Sequence, residues 1–452
     1  MTRIVVYMTC WNSGCNDVDI LAAFDDAIRD GVHVLSLSLG PDFPQGDCFT
    51  NVISVGSFHA ASYRITVVAL VGNKGIWGSA TNLALWIITV TANSTGRDFV
   101  SDIRLGNGNK IVGESLSLLQ MNTSKMIISA SDAYVGYFTP YQSREPMSRI
   151  FSAKTVLRSQ SAPRVTAFSS KGRNALTPDI LKPDIIAPGL NILAAWFPAS
   201  KNMLSNILSG TSMDCQHLIG ITALIKLCIY HVPYSSTNMF KPKIVVSSPI
   251  IAFFLIKRRP NLQNAANLLD KNGKPITVDS KGRKGNAFDY GAGFVNPTRV
   301  LDPGLIYDAQ REDYKAFLCS IGYNDKLLQL ITGDNKTCDQ TFATPTSLNY
   351  PSIAVPHLKD KFSVTRTVTN VGDPRSIYVA VMSPPMGINI TVAPKLLVIS
   401  RYGENMTFTM NFKVEAPLEG YKFGFLTWRS RTTWVTTPLV VRVALFDYGL
   451  LR

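Results

Sequence analysis

At 452 residues, 46% of them hydrophobic, the chain is long enough for two or three domains with cores of their own, and its composition excludes a disordered polymer. The formal charge of +14 and a pI near 9.4 suit polyanions such as nucleic acid or cell-wall pectate. Yet Lys and Arg are scattered, their densest cluster (Lys281-Gly-Arg-Lys284) is loop-like, and no RNP, zinc-knuckle or helix-turn-helix signature accompanies them, which argues against nucleic acid.

In chain order, Arg3 to Met8 is β-branched and apolar like a buried parallel strand, and Asn16 to Asp30 carries Val18, Leu21, Ala22 and Ile28 at helical spacing. A second strand is expected from Val32 to Gly40, a second helix from Val52 to Tyr63 and a third strand from Ile65 to Val71, closed by Gly72-Asn73. Strands alternating with helices at this spacing imply an α/β fold, a mostly parallel sheet with helices on both faces. Active-site groups gather at the carboxyl ends of such strands. From Ile87 to about Gly113 the pattern is strand and hairpin, and 114–160 is too short to bury much of a separate core, so an ordered domain is not expected there.

The run Ser209-Gly-Thr-Ser-Met213, followed by His217-Leu-Ile-Gly-Ile-Thr-Ala-Leu-Ile225, reads as a tight turn entering a buried helix. A hydroxyl at such a helix start suits nucleophilic attack on a carbonyl, because unpaired N–H groups and the positive dipole end favour the developing oxyanion. After Ile225 the pattern breaks: residues 226–262 include an apolar run, 244–256, interrupted by Pro249. It falls short of the ~20 residues of a bilayer span; a translated non-coding segment is the favoured reading over a membrane-surface anchor or a buried strand. Beyond Ser347-Leu-Asn-Tyr-Pro-Ser-Ile353 short alternating strands follow (Phe362 to Val371, Ile377 to Met382, Leu396 to Ile399, Met406 to Val414, Gly424 to Arg429, Thr433 to Ala444), the mark of a β-sandwich.

Seven cysteines and five Asn-X-Ser/Thr sequons (Asn93, Asn122, Asn335, Asn389, Asn405) point to the secretory pathway. Cys10 with Cys15 and Cys319 with Cys338 are suited to local disulfides; Cys215 reads as a small buried residue, and Cys48 and Cys228 are unassigned. The first residues lack the basic start, apolar core and small-residue cleavage site of a signal peptide. A missing N-terminal part reconciles the two observations.

Gly210-Thr-Ser-Met213 resembles the nucleophile signature of subtilisin-like serine proteases, and further landmarks resemble their plant, cucumisin-like branch: Val67-Val-Ala-Leu-Val-Gly-Asn73, Arg164-Val-Thr-Ala-Phe-Ser-Ser-Lys-Gly172, Leu181-Lys-Pro-Asp-Ile-Ile-Ala-Pro188 and Phe288-Asp-Tyr-Gly-Ala-Gly293. The resemblance implies a catalytic domain in two parts, 1–113 and 161–330, separated by the remnant of a protease-associated insertion at 114–160, with a fibronectin-III-like domain at 345–446. It also implies a secreted endopeptidase of the apoplast or cell wall that acts on proteins or peptides without a cofactor. Ser212 would be the nucleophile, and Asn73 with the Ser212 N–H would hold the oxyanion, a contribution worth about 3–4 kcal/mol in subtilisin itself.

Subtilases order their triad Asp, His, Ser along the chain. No Asp-Ser/Thr-Gly strand end and no His-Gly-Thr-His helix occurs in this sequence, and none of His33, His59, His217, His231 and His357 has the context of a general base. The expected protein is thus a subtilase chain truncated at its N-terminus and inactive alone. The alternatives are a non-catalytic secreted glycoprotein that binds peptides or cell-wall polyanions and a non-functional gene product. Asp214, where the family has a small residue, is expected to act as a helix-dipole partner rather than a proton shuttle. Arg173, where the family has Pro, is expected to point to water.

Overall fold

The structure, a computed structural model, describes residues 3–12, 14–115, 117, 119–126, 147–157, 162–196, 204–230, 266–278, 282–338, 344–416 and 418–444. Two compact units emerge: Met1–Asn93 with Pro163–Leu190 and Ser209–Arg452, and Ser94–Ala162 with Asn191–Leu208.

The heart of the larger unit is a seven-stranded sheet in which Val34–Leu37, Thr66–Leu70, Ile88–Asn93 and Ile185–Pro188 run parallel, side by side in that order. The Thr66–Leu70 and Ile88–Asn93 strands are buried along their whole length, as near-continuous apolar strands covered on both faces must be. The helices Asp17–Arg29 and Val52–Ser62 pack on each other. Val52–Ser62 starts at Asn51, whose side chain accepts from the Ser54 N–H, an Asn N-cap worth about 1 kcal/mol. Gly56 lets the pair close, since a Cβ there would meet the Phe24 ring at 2.3 Å.

Arg3 to Met8 departs from its expected strand. It pairs with no strand among the described residues, and Ile4 and Val6 are 89% and 83% exposed. The β-branched composition favours a strand, but a strand is buried only by neighbours, and the sheet ends at Val34–Leu37.

The Lys182-Pro-Asp184 landmark anchors the sheet. Lys182 Nζ and Asp184 Oδ2 lie 2.6 Å apart with both side chains buried; Lys182 also donates to the Ile87 carbonyl, and Asp184 accepts from Thr89 N–H and from Tyr350 Oη, each at 2.7 Å. Buried charges are tolerated when paired and fully hydrogen-bonded in this way.

The C-terminal sandwich has two sheets. One runs Leu305–Tyr307, Lys361–Asn370, Asn405–Val414, Ile388–Ala393; the other runs Ile353–Leu358, Trp434–Val443, Tyr421–Arg429, Ser376–Ser383, Leu396–Ile399. Phe408, Met410, Phe412, Leu426 and Trp428 fill the space between them. Leu305–Tyr307, expected at the end of the α/β domain, is a strand of this sandwich, and Tyr307 Oη meets Thr437 Oγ1 at 2.6 Å. The outer face of the second sheet takes Phe288 edge-on against Tyr421 and Phe423, with ring centroids 5.0 and 5.2 Å apart.

In the smaller unit Arg97–Leu105 pairs with Lys110–Glu114, Met147–Ile150 and Lys154–Leu157. Part of the expected connector over 114–160 therefore belongs to a sheet, because Met147–Ile150 and Lys154–Leu157 find a partner in Arg97–Leu105; residues 116, 118, 127–146 and 158–160 lie outside the described residues. So do most of the expected aberrant segment, from 231 on, and His231. No helix among the described residues is long and apolar enough to cross a membrane. The disulfides Cys10–Cys15 and Cys319–Cys338 form as expected, while Cys48 and Cys215 are free and buried.

Candidate active site

The site is assembled where three strand ends meet the start of the Thr211–Tyr230 helix, which packs on Val34–Leu37, Thr66–Leu70, Ile88–Asn93 and Ile185–Pro188. Its sheet-facing residues Cys215, Leu218 and Ile225 join Val68, Val90, Ile185 and Ala187 in one apolar cluster. The helix start is thereby fixed at the carboxyl edge of the sheet.

Asn73 caps this start from across the sheet. Its Oδ1 accepts from both the N–H and the Oγ1 of Thr211, each at 3.0 Å. A carbonyl oxygen committed in this way fixes which way the side-chain amide is turned, so Nδ2 is presented on the other side. A Cβ placed on Gly210 would lie 3.8 Å from Asn73 Nδ2 and 3.8 Å from Ser212 N, so both nitrogens border the space over Gly210. Two donors flanking one space beside a hydroxyl form the arrangement that can stabilise an oxyanion.

The turn carrying Asn73 is itself clamped. Ser170 N–H donates to the Gly72 carbonyl at 2.8 Å, and Ser170 Oγ accepts from Lys74 N–H at 3.1 Å. Gly72 has φ of 103° and is crowded by that hydroxyl, 2.9 Å from a would-be Cβ, so glycine is required twice over. Asn82 Nδ2 donates to the Leu39 and Leu70 carbonyls at 3.2 and 2.8 Å, tying together the chains that lead to Ser38 and Asn73.

Ser212 is half-buried, and its Oγ donates to the Ser38 carbonyl at 3.4 Å. Ser38 Oγ donates back to the Ser212 carbonyl at 3.0 Å and accepts from Gln216 Nε2 at 2.9 Å. Sequence reasoning missed Ser38, Gln216, Ser170 and Asn82. Ser38 had a usable signal, its place just past a parallel strand at the carboxyl edge; the others are visible only as hydrogen bonds across long separations.

No imidazole reaches the Ser212 hydroxyl among the described residues. His217 Nδ1 lies 3.0 Å from the Met213 carbonyl, which fixes that nitrogen as a donor and occupies it within its own helix turn. His59 packs beside Phe58 and Gly333 with its pKa lowered, chiefly by burial and then by Arg311. His33 and His357 are exposed.

Asp214 departs from the expected dipole partner. It lies in the first turn but is 0% exposed, and neither carboxyl oxygen has a well-formed hydrogen bond. Burial pushes its pKa well above 3.8, with only the Cys215 thiol and N–H opposing. Burial that opposes ionisation of this carboxyl weakens what it can gain from the dipole. Arg173 is exposed, as expected. No cluster of three or more His, Cys, Asp or Glu suited to a metal occurs among the described residues.

The sequence comparisons agree with this geometry. Residues 2–293 match the Subtilase family and residues 347–441 a Fibronectin type-III domain. Subtilisin-like serine-protease S of Lotus japonicus is 34% identical over 98% of this chain and 67% of its own length; Subtilisin-like protease SBT5.4 of Arabidopsis thaliana is 33% identical over 98% and 66%. The chain thus spans about two thirds of the length of these relatives. Among solved structures, a lanthipeptide protease aligns at 14% identity and a TM-score of 0.34, covering 65% of this chain and 68% of its own. A serine at the start of a sheet-buried helix, an asparagine capping it from the neighbouring strand end, and family matches across both regions lead to one conclusion: the chain belongs to the subtilase family of serine peptidases and carries a fibronectin type-III domain behind its α/β sheet.

Proposed function

We propose that this site is built for acyl transfer to Ser212 from a peptide carbonyl, with Asn73 Nδ2 and the Ser212 N–H receiving the oxyanion, and that the chain by itself is close to inactive in peptide hydrolysis. The observation that carries the reading is the pairing of Asn73 Oδ1 with Thr211, which leaves Nδ2 beside the space bordered by Ser212 N. The Ser212 hydroxyl, in contrast, donates its hydrogen bond to the Ser38 carbonyl, which cannot act as a general base. Loss of the base costs subtilisin on the order of 10⁶ in turnover and leaves about 10³–10⁴ over water from the oxyanion hole and binding. Peptides and proteins are the substrate class, and the secretory pathway is the compartment, an assignment supported by the two disulfides.

Incubation with a peptidyl fluorogenic substrate and with an active-site fluorophosphonate tests both parts. Slow labelling confined to Ser212, slowed a further 10²–10³-fold by Asn73→Ala, is expected. Rapid labelling and robust turnover would show that a base is supplied after all. Labelling indifferent to Asn73→Ala would remove Asn73 from the oxyanion role.

A further inference from the structure

Ser212 is held from two strand ends at once. Asn73, past the Thr66–Leu70 strand, takes the N–H and hydroxyl of Thr211 on its Oδ1, and Ser38, past the Val34–Leu37 strand, donates to the carbonyl of Ser212 itself. The chain is thereby tied immediately before and immediately after the Ser212 N–H. A serine hydroxyl has one hydrogen to give and two lone pairs to receive with. At Ser38 the hydrogen goes to the Ser212 carbonyl at 3.0 Å, and a lone pair takes a hydrogen from Gln216 Nε2 at 2.9 Å. The donation from Gln216 keeps the Ser38 hydrogen from turning to that side, so the amide selects the direction in which Ser38 donates. Its spacing places it there: four residues beyond Ser212 in the Thr211–Tyr230 helix, Gln216 shares the face that carries the hydroxyl.

We propose that Gln216 is a positioning residue for the nucleophile: through Ser38 it fixes the Ser212 carbonyl, and with it the direction of the Ser212 N–H and Oγ. The inference rests on the reading of Ser212 as the attacking group. No proton moves in this role. The two hydrogen bonds hold geometry, and misplacing a reacting group by about 1 Å costs up to 10²-fold in rate. Gln216 and Ser38 are both exposed, so water replaces part of a lost bond and the effect is smaller.

Fluorophosphonate labelling of the full chain at saturating probe tests this. Gln216→Ala should lower the limiting rate about 2–10-fold, the worth of one ordinary hydrogen bond, with the apparent affinity unchanged. Combined with Ser38→Ala it should be no slower than Ser38→Ala alone, because Gln216 acts through Ser38. Gln216→Glu reverses the chain, since an ionised carboxylate only accepts and draws the Ser38 hydrogen away from the Ser212 carbonyl. Relative to the parent at the same pH, it should label more slowly than Gln216→Ala at pH 7 and recover as the carboxyl is protonated near its ordinary value of about 4.3; the Gln216→Ala ratio should stay flat. Hydrogen exchange of the amides from 210 to 216 reads the same hold without any labelling, and both Ala variants should exchange faster there. In a parent that labels at Ser212, an unchanged rate in Gln216→Ala, an additive double variant, or a Gln216→Glu ratio that does not recover overturns the proposal. In a parent that never labels, the acyl-transfer reading fails and exchange decides the rest: faster exchange in Gln216→Ala upholds its hold on Ser212, and unchanged exchange removes it.

Discussion

Replacing Asp214 by Ala should stabilise this protein, and increasingly so as pH rises. The carboxyl is wholly buried with both oxygens lacking well-formed partners, and an unsatisfied buried polar group costs about 1–3 kcal/mol even when neutral. Against this stands the small cavity left by the truncation. Ionisation adds to the neutral cost. Because the folded-state pKa is raised above 3.8, the parent keeps its full stability only below the unfolded-state value. It loses stability as pH rises from there toward the folded-state value, at up to about 1.4 kcal/mol per pH unit. Asp214→Ala lacks this term. Urea denaturation of parent and variant from pH 4 to 8 should therefore show a gap that widens with pH. A gap independent of pH, or a variant less stable than the parent at neutral pH, would refute the reading that burial of Asp214 opposes its ionisation.

Two further expectations follow from the buried ion pair and the sequons. Lys182→Met leaves Asp184 charged and buried and should cost about 3–5 kcal/mol in the same assay, whereas Tyr350→Phe, which removes one of several partners, should cost about 1–3 kcal/mol; equal effects would mean that Asp184 is not the centre of the cluster. Asn93 is 1% exposed at the end of an inner strand, so peptide mass spectrometry of secreted protein should find glycans only among Asn122, Asn335, Asn389 and Asn405. A glycan on Asn93 would contradict the burial of that strand end.

Much of the architecture was legible because periodicity reports burial. The helices Asp17–Arg29 and Val52–Ser62 and the strands Val34–Leu37 and Thr66–Leu70 fall inside the stretches their apolar spacing suggests. Periodicity is silent about partners, which is why Arg3 to Met8 reads as a buried strand and lies exposed; Leu305–Tyr307, assigned to the 161–330 part by the family resemblance, pairs with the sandwich strand Lys361–Asn370. Ser212 and Asn73 were recognisable from their motifs. Their link through Thr211, 138 residues from Asn73, and the hold of Gln216 on Ser38 depend on which strand ends become neighbours, and local sequence does not encode that. Asp214 misleads for a related reason: position in the first turn suggests a dipole partner, while the face of the helix it occupies decides its ionisation.

The hydrogen bond from Tyr350 to Asp184 spans 166 residues, and this separation has a consequence for synthesis. While the chain leaves the ribosome, the sheet's buried carboxylate must wait for a phenol translated long afterwards, and Leu305–Tyr307 must wait for the Lys361–Asn370 strand it pairs with. Until the chain reaches Tyr350 and Lys361–Asn370, Asp184 therefore lacks one of its partners and Leu305–Tyr307 its neighbouring strand. The sandwich is a late-arriving part of the same folding unit, and a chain ended near residue 330 would emerge with that unit still open.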